Sequence, residues 1–343
     1  MAMSSSSSSK YRHIGNPYGY KKHKDNDRLS KTNFIADDSK KCPKCQHVKI
    51  KKNGISRGRQ RYQCKSCKHT FYRYKSFLNV SELYENYSCG RQTLAQISKQ
   101  TGINTKTLQK KFDEHEPLTG GINPILEPVH VFMDATFFGR TFGVLVFRAE
   151  GKNIYWKMIQ TESIAEIREA LETLDQICVG GYLSFTIDGK PGIRKLLTER
   201  YKMPVYMCLF HQLQIIRRYT TKNPKTDCGR EIRAFSLSLT RQNNQSAQVS
   251  FDTLFLNYKN FLLERNEKNN FKHSRLRSAF RSMKKNLPFL CLCHTKKSIR
   301  TNNSCEGSFS HLKSKVKIHR KLRIDRKIKM INFLLAHGSN SIF

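Results

Sequence analysis

Residues 129–138 read VHVFMDATFF. So continuous an apolar run predicts a strand buried on both faces. Asp134 interrupts it. A carboxylate in such a strand is costly unless it is paired or bound to a cation, so its presence needs a chemical reason. Working outward, two more strands are expected over residues 142–148 and 154–159. Residues 163–177, SIAEIREALETLDQI, then set Ile164, Ile167, Leu171, Leu174 and Ile177 on one helical face, with the acidic residues on a solvated outer face. The next run, LSFTI over 183–187, stops at Asp188-Gly189-Lys190-Pro191. An Asp where a strand gives way to Gly and a helix stands where α/β sheets place their chemistry. Asp188 could equally cap the helix expected over about 192–200. A further strand over 205–209 runs into Cys208-Leu-Phe-His211. Strands alternating with helices predict an α/β fold.

A third carboxylate comes after a basic stretch, 225–298, that is expected to be helical. In TNNSCEGSFSHLKSK, Glu306 and Lys313 lie seven residues apart. That is about two helical turns, so they share a face. Alone, this pair would be a surface ion pair. Together, Asp134, Asp188 and Glu306 would repel one another and raise each other's pKa unless divalent cations neutralised them. Two Mg²⁺ ions about 3.5–4 Å apart can activate a nucleophile and stabilise the leaving oxygen of a phosphodiester. Hard oxygen donors favour Mg²⁺ or Mn²⁺ over zinc there.

The charge distribution names the substrate class. The 343 residues carry 63 Lys and Arg against 26 Asp and Glu, a net +37. Residues 1–125 hold 25 basic and 9 acidic side chains, residues 126–210 hold 10 of each, and residues 211–343 hold 28 and 7. A neutral centre between two strongly basic segments suggests a fold whose flanks grip a polyanion, and nucleic acid rewards clustered Lys and Arg through counterion release. General RNA binding would give the same charge. No stretch approaches the roughly 18–20 apolar residues of a membrane helix. The opening MAMSSSSSSK lacks the apolar segment of a secretory signal. A cytoplasmic protein with no membrane partner, associated with chromosomal DNA, is therefore expected.

Four of the eleven cysteines have metal spacing: Cys42-Pro-Lys-Cys45 and Cys64-Lys-Ser-Cys67. Two such pairs on tight turns place four thiolates at the corners of a tetrahedron, as one structural zinc ion requires. The segment between them, with Gly54 and Gly58, reads as a hairpin, so residues 41–78 are expected to form a zinc ribbon. His69 adjoins an already complete ligand set. Most of the remaining cysteines (89, 178, 208, 228, 291, 293 and 305) are expected to be buried thiols. Next, TLAQISKQTGINTKTLQKKF at 93–112 offers Leu94 and Ile97, a turn at Gly102 with Ile103 beneath it, and a second helix with Leu108 and Phe112 inward. This fits a helix-turn-helix whose second helix presents Lys106, Gln109 and Lys110 to a DNA groove. An ordinary helical hairpin would show the same pattern.

The pieces VFMDATFF, FTIDGK, CLFH and TNNSCEGSFSHLK, in that order, resemble the DDE transposases of the Mutator-like class shared by bacterial insertion sequences. The resemblance covers about residues 41–335. It implies an RNase H-like mixed sheet with helices on both faces and a helical insertion, preceded by a small zinc ribbon and a helix-turn-helix. It also implies a metal-binding catalytic triad of Asp134, Asp188 and Glu306. Cys208 and His211 match the family's C-x-x-H element, which supports the active site or positions DNA. Lys190 and Lys313 would contact phosphates.

The expected organisation is then a flexible basic tail over 1–40, the ribbon over 41–78 and the helix-turn-helix over 79–117. The first part of the catalytic core follows over 118–224, the insertion over 225–298, a final catalytic helix over 299–335 and a C-terminal tail over 336–343. The implied activity is binding of the terminal inverted repeats of a mobile element in double-stranded DNA, cleavage of its ends, and joining to target DNA. A homodimer or higher oligomer on DNA would hold two ends together. A DNA-binding regulator with an inactive core, or a structure-specific nuclease, would share most of these features.

Overall fold

Residues 41–56, 59–72, 79–117, 124–292, 303–319 and 321–337 are described by a computed structural model. The expected tail over 1–40, the Gly120-Gly121 linker and residues 338–343 lie outside the described residues. Contacts separate the chain into two units, the first ending at Pro117. Eleven α-helices and eight strands are present among the described residues.

In the first unit, β1 (Ile50–Ser56) and β2 (Arg59–Cys64) form the hairpin expected between the cysteine pairs, with an irregularity between Lys52 and Ile55 where Gly54 takes φ +72°. A third strand, β3 (Thr70–Tyr72), pairs with β2. Three helices follow: α1 (Val80–Ser88), α2 (Leu94–Thr101) and α3 (Thr105–Glu114). Thr93 and Gln96 close a capping box at the start of α2, and Gly102 ends that helix at φ +67°. Asn104 caps α3 at once. The buried face joins Ile97, Leu108 and Phe112 to Tyr84 and Tyr87 of α1, whose rings lie 5.4 and 5.2 Å from that of Phe112.

The second unit is built on a five-stranded mixed sheet in the order β6-β5-β4-β7-β8. β4 (Val129–Phe138), β5 (Phe142–Ala149) and β6 (Lys152–Ile159) form an antiparallel meander, and β7 (Tyr182–Ile187) and β8 (Val205–Met207) add parallel to β4. Every residue of β5 is buried, because both faces of the sheet are covered. One face packs Val131, Met133, Leu145 and Phe147 against Ile167, Leu171 and Leu174 of α4 (Ile164–Ile177) and Ile193 and Leu197 of α5 (Pro191–Tyr201). Strand β8 is shorter than expected: Cys208 already caps α6 (Leu209–Thr220), so Leu209 is helical.

The basic stretch that follows is helical: α7 (Asp227–Ser238), α8 (Asn244–Leu263) and α9 (Ser274–Asn286). With α6 they enclose a second core around Ile216, Ile232, Phe251, Phe280 and Met283. The chain then returns to the sheet in α10 (Asn303–Ile318) and α11 (Ile324–His337). Helix α11 is tied to β6, where Trp156 Nε1 donates to Asn332 Oδ1 at 3.0 Å and Asn153 Nδ2 donates to the Leu335 carbonyl at 2.9 Å.

Candidate active site and metal centre

The parallel register between β4 and β7 pairs Phe132 with Thr186. Asp134 stands two residues further along β4, and Asp188 directly follows the last residue of β7, so both lie at the carboxyl end of β7. Adjacent strands lie about 4.8 Å apart, which makes the two near neighbours. Asp134 also pairs with Val146, and Val146 with Trp156. Trp156 is the residue that bonds α11, so Asp134 faces the side of the sheet that the C-terminal helices cover. Helix α10 packs on both α11 and β4. Glu306 belongs to that helix, one turn ahead of buried Phe309; its carboxylate lies outside the described residues.

Asp134 is 8% exposed, and its Oδ1 accepts from the Ala135 amide at 2.8 Å. Asp188 does not cap the next helix, whose N-cap is Lys190 with no side-chain cap bond; its Oδ1 instead accepts from the Lys190 amide at 3.2 Å. Its carboxylate therefore closes the tight turn. Gly189 makes that turn possible at φ +93°, and a Cβ there would fall 1.9 Å from Met207 Sδ. The CLFH element adjoins the same turn, because the Cys208 amide donates to the Ile187 carbonyl at 2.8 Å. The Cys208 thiol is buried. His211 follows on the first turn of α6, its ring edge-on to Phe210.

Lys190 points at carboxylates. Its ammonium pairs with Glu162, lies 3.8 Å from Asp188 Oδ2, and feels the charge of Asp134. Burial lowers its pKa, with the Asp134 charge opposing. The Lys190 side chain stays 46% exposed; the carboxylates it pairs with offer hard oxygens that suit Mg²⁺ or Mn²⁺. Glu162 is the residue that sequence reading missed. It follows β6 in a short loop pinned by Glu166, whose two oxygens accept the Gln160 and Thr161 amides at 3.2 and 3.3 Å. The pattern Ser163-x-x-Glu166 marks a helix start. It could have placed Glu162 in a loop at the same sheet edge as Asp188. Among the helix's other acids, Asp175 is not a solvated surface group: it accepts Tyr182 Oη at 2.7 Å, Tyr201 Oη at 2.8 Å and Arg200 Nη2 at 2.6 Å. Lys313 is exposed on α10.

In the first unit, Cys42, Cys45, Cys64 and Cys67 form a cluster whose four Sγ atoms all lie within 4.8 Å of one another. It is the group of that kind among the described residues; the carboxylates around Lys190 do not gather so tightly. The pairs Cys42–Cys67 and Cys45–Cys64 are both 3.6 Å apart. A tetrahedron with Zn–S bonds of about 2.3 Å has S–S edges of about 3.8 Å, so the four thiols can hold one zinc ion. Two matching turns build the cluster. The Cys42 and Cys64 amides donate to the His47 and His69 carbonyls, and Gln46 and Lys68, each just after a second cysteine, take φ of 58° and 59°. Burial opposes ionisation of Cys42, yet the Cys45 and Lys44 amides and the neighbouring thiols bring it down to about 7. The His47 amide favours ionised Cys45, but Cys67, burial and the other thiols together push it up to about 12. His69 stacks on Phe71, 6.1 Å between centroids, and is no part of the cluster. Of the other cysteines, Cys178, Cys208, Cys228 and Cys291 are buried and Cys89 is partly exposed.

On α3, Lys106 and Lys110 are exposed and Gln109 half-buried. Gln109 Nε2 donates to Asp113 Oδ1 at 3.2 Å, and Lys110 lies 3.8 Å from Glu114. These acids temper the basic face that the sequence suggested.

No protein-family description matches the chain, and no curated protein matches it. Among solved structures it is similar to a chain in the cryo-electron microscopy structure of the simian T-cell lymphotropic virus intasome in complex with PP2A regulatory subunit B56 gamma. Identity there is 12%, over 58% of this chain and 74% of that one, with a TM-score of 0.21. A superposition that loose carries no argument about fold or activity, and the function rests on the chain's own geometry.

Proposed function

We propose that this chain is a DDE-type DNA transposase with an RNase H-like catalytic core. The observation that supports the reading is Lys190, whose ammonium lies 3.8 Å from Asp188 and feels the charge of Asp134, at the end of the paired strands β4 and β7. Asp134, Asp188 and Glu306 would hold two Mg²⁺ or Mn²⁺ ions, which supply activation of the attacking oxygen and stabilisation of the leaving one. Water cleaves the phosphodiester at the element's end and frees a 3′-hydroxyl. That hydroxyl then attacks target DNA, exchanging one phosphodiester for another with no covalent protein intermediate. Lys190 and Lys313 neutralise phosphate charge beside the scissile bond. The four-cysteine ribbon and the α2–α3 pair, with Lys106, Gln109 and Lys110 on its second helix, recognise the terminal inverted repeats. Two ends brought together require at least a homodimer on double-stranded DNA, and the protein would act on chromosomal DNA in the cytoplasm. The α-helices among the described residues include none long and apolar enough to cross a membrane.

The test is cleavage and joining of labelled element-end DNA with Mg²⁺. Asp134→Ala, Asp188→Asn and Glu306→Gln should each lower cleavage by roughly 10²–10³-fold or more, with DNA binding kept. Wild-type binding without cutting would instead identify a DNA-binding regulator. Cutting without joining would identify a structure-specific nuclease.

A further inference from the structure

Outside the carboxylate site, the helical segment carries a cleft of about 250 Å³ between α8 and α9. Its lining follows helical periodicity on both sides. Phe255, Lys259, Leu262 and Leu263 lie at i, i+4, i+7 and i+8 of α8, and Arg277, Phe280, Arg281 and Lys284 at i, i+3, i+4 and i+7 of α9. The floor is apolar: Leu262 and Phe280 are buried, Phe255 half-buried, and Leu263 48% exposed. All four polar residues of the wall are cations, and no carboxylate lines it. Two are already set against aromatic rings. Arg277 stacks 3.3 Å from the Phe271 centroid while donating to the Leu262 carbonyl, and the Lys284 ammonium lies 5.5 Å from the Phe255 centroid.

We infer that this cleft binds single-stranded nucleic acid, taking one unpaired base on the Phe255–Leu263 floor and its flanking phosphates on Lys259, Arg281 and Lys284. Charge complementarity selects the occupant. Four cations without a counter-charge call for a polyanion, and an apolar floor calls for a flat ring carried by that polyanion. Duplex DNA meets the first demand and fails the second, because its bases are stacked and paired. An acidic amphipathic peptide would meet both, but it lays a row of side chains along a groove. This cleft is smaller than the roughly 300–1,000 Å³ of pockets that enclose a drug-sized ligand, so it suits one ring. The inference needs neither the carboxylates nor catalysis, so it stands or falls apart from the transposase reading.

The experiment measures binding of the full chain, without divalent metal, to a fluorescent oligo-dT and to a blunt duplex of equal length. Variants Phe255→Leu and Lys259→Gln/Arg281→Gln/Lys284→Gln are compared, the second altering only exposed side chains. Each should weaken oligo-dT binding by at least about fivefold and leave duplex binding within about twofold. A 5-iododeoxyuridine oligonucleotide cross-linked to the wild type should map to peptides within residues 251–286, a readout that does not depend on how the variants fold. Equal losses for both DNA forms, unchanged oligo-dT binding, or cross-links elsewhere would overturn the inference. So would a Glu/Leu amphipathic peptide that displaces the oligonucleotide and loses its own binding in both variants, since the cleft would then belong to a protein partner.

Discussion

Lys190 joins the carboxylate site while its side chain stays 46% exposed. Burial lowers its pKa, and what holds it there is Glu162, with Asp188 at 3.8 Å and the charge of Asp134 nearby. Under the proposed function, the ammonium would compete with a divalent ion for these carboxylates. Lys190→Met removes it and leaves the carboxylates facing one another. The pair is partly exposed on the lysine side, so its loss should cost only about 1 kcal/mol, or about 2–4 °C in Tm for a unit of this size. Mn²⁺ should restore that loss and raise the Tm of the variant more than that of the wild type, because the ion no longer competes with the ammonium. Thermal unfolding with and without Mn²⁺ checks this; equal shifts in both proteins would refute the competition. Asp134 and Asp188 were legible in the sequence, since a carboxylate inside an apolar strand and one at a strand's end each break a pattern. Glu162 was not, because a Glu in a loop breaks no pattern until the loop's position over the site is known.

The same rule governs whole elements. Strands β4 to β7 and helix α4 stand out because burial on one or both faces leaves a periodic signal, and the observed spans follow it closely. Strand β3 has three residues, too few for an alternation to register. Helix α1 hides its core face in tyrosines, which pack on Phe112 but read as polar surface. Helix α11 lies almost entirely within the final catalytic helix expected over 299–335; its buried Ile328, Ile331, Leu334 and Leu335 follow Lys and Arg residues that hide the break after α10. The ribbon is legible at once, because metal spacing is a stronger signal than periodicity. Its thiols also make it sensitive to pH. Cys45 is pushed up to about 12, so zinc must displace a proton from it throughout the neutral range, and below about 7 it must displace one from Cys42 as well. Zinc affinity should therefore fall as pH is lowered from about 8 to about 6, more steeply in the lower half of that range. Titration with a competing chelator at each pH measures it. Cys64→Ser should abolish stoichiometric zinc at every pH.

At the scale of the whole molecule, the charge is segregated along the chain. Residues 126–210, which carry Asp134, Asp188 and all five strands of the sheet, balance 10 basic against 10 acidic side chains, while the flanking segments hold all of the net +37. A catalytic centre that gathers carboxylates around cations tolerates little extra positive charge beside them, whereas surfaces that hold phosphate need it. Binding and chemistry should accordingly respond differently to salt. Each phosphate contacted on duplex DNA contributes about −0.9 to the slope of log K against log salt, so a chain making about 6–10 such contacts loses roughly 10³–10⁵ in affinity between about 50 and about 200 mM. Under single-turnover conditions with the protein in saturating excess, the rate of cleavage of bound DNA should change far less over that range. In the proposed mechanism the carboxylates and their ions would act within a few ångströms, and buried or partly buried charges are screened much less than exposed ones. Binding isotherms and single-turnover cleavage, measured across the same salt series, separate the two. If the cleavage rate of bound DNA fell in parallel with affinity, the basic flanks would be part of the chemistry and not only of the grip.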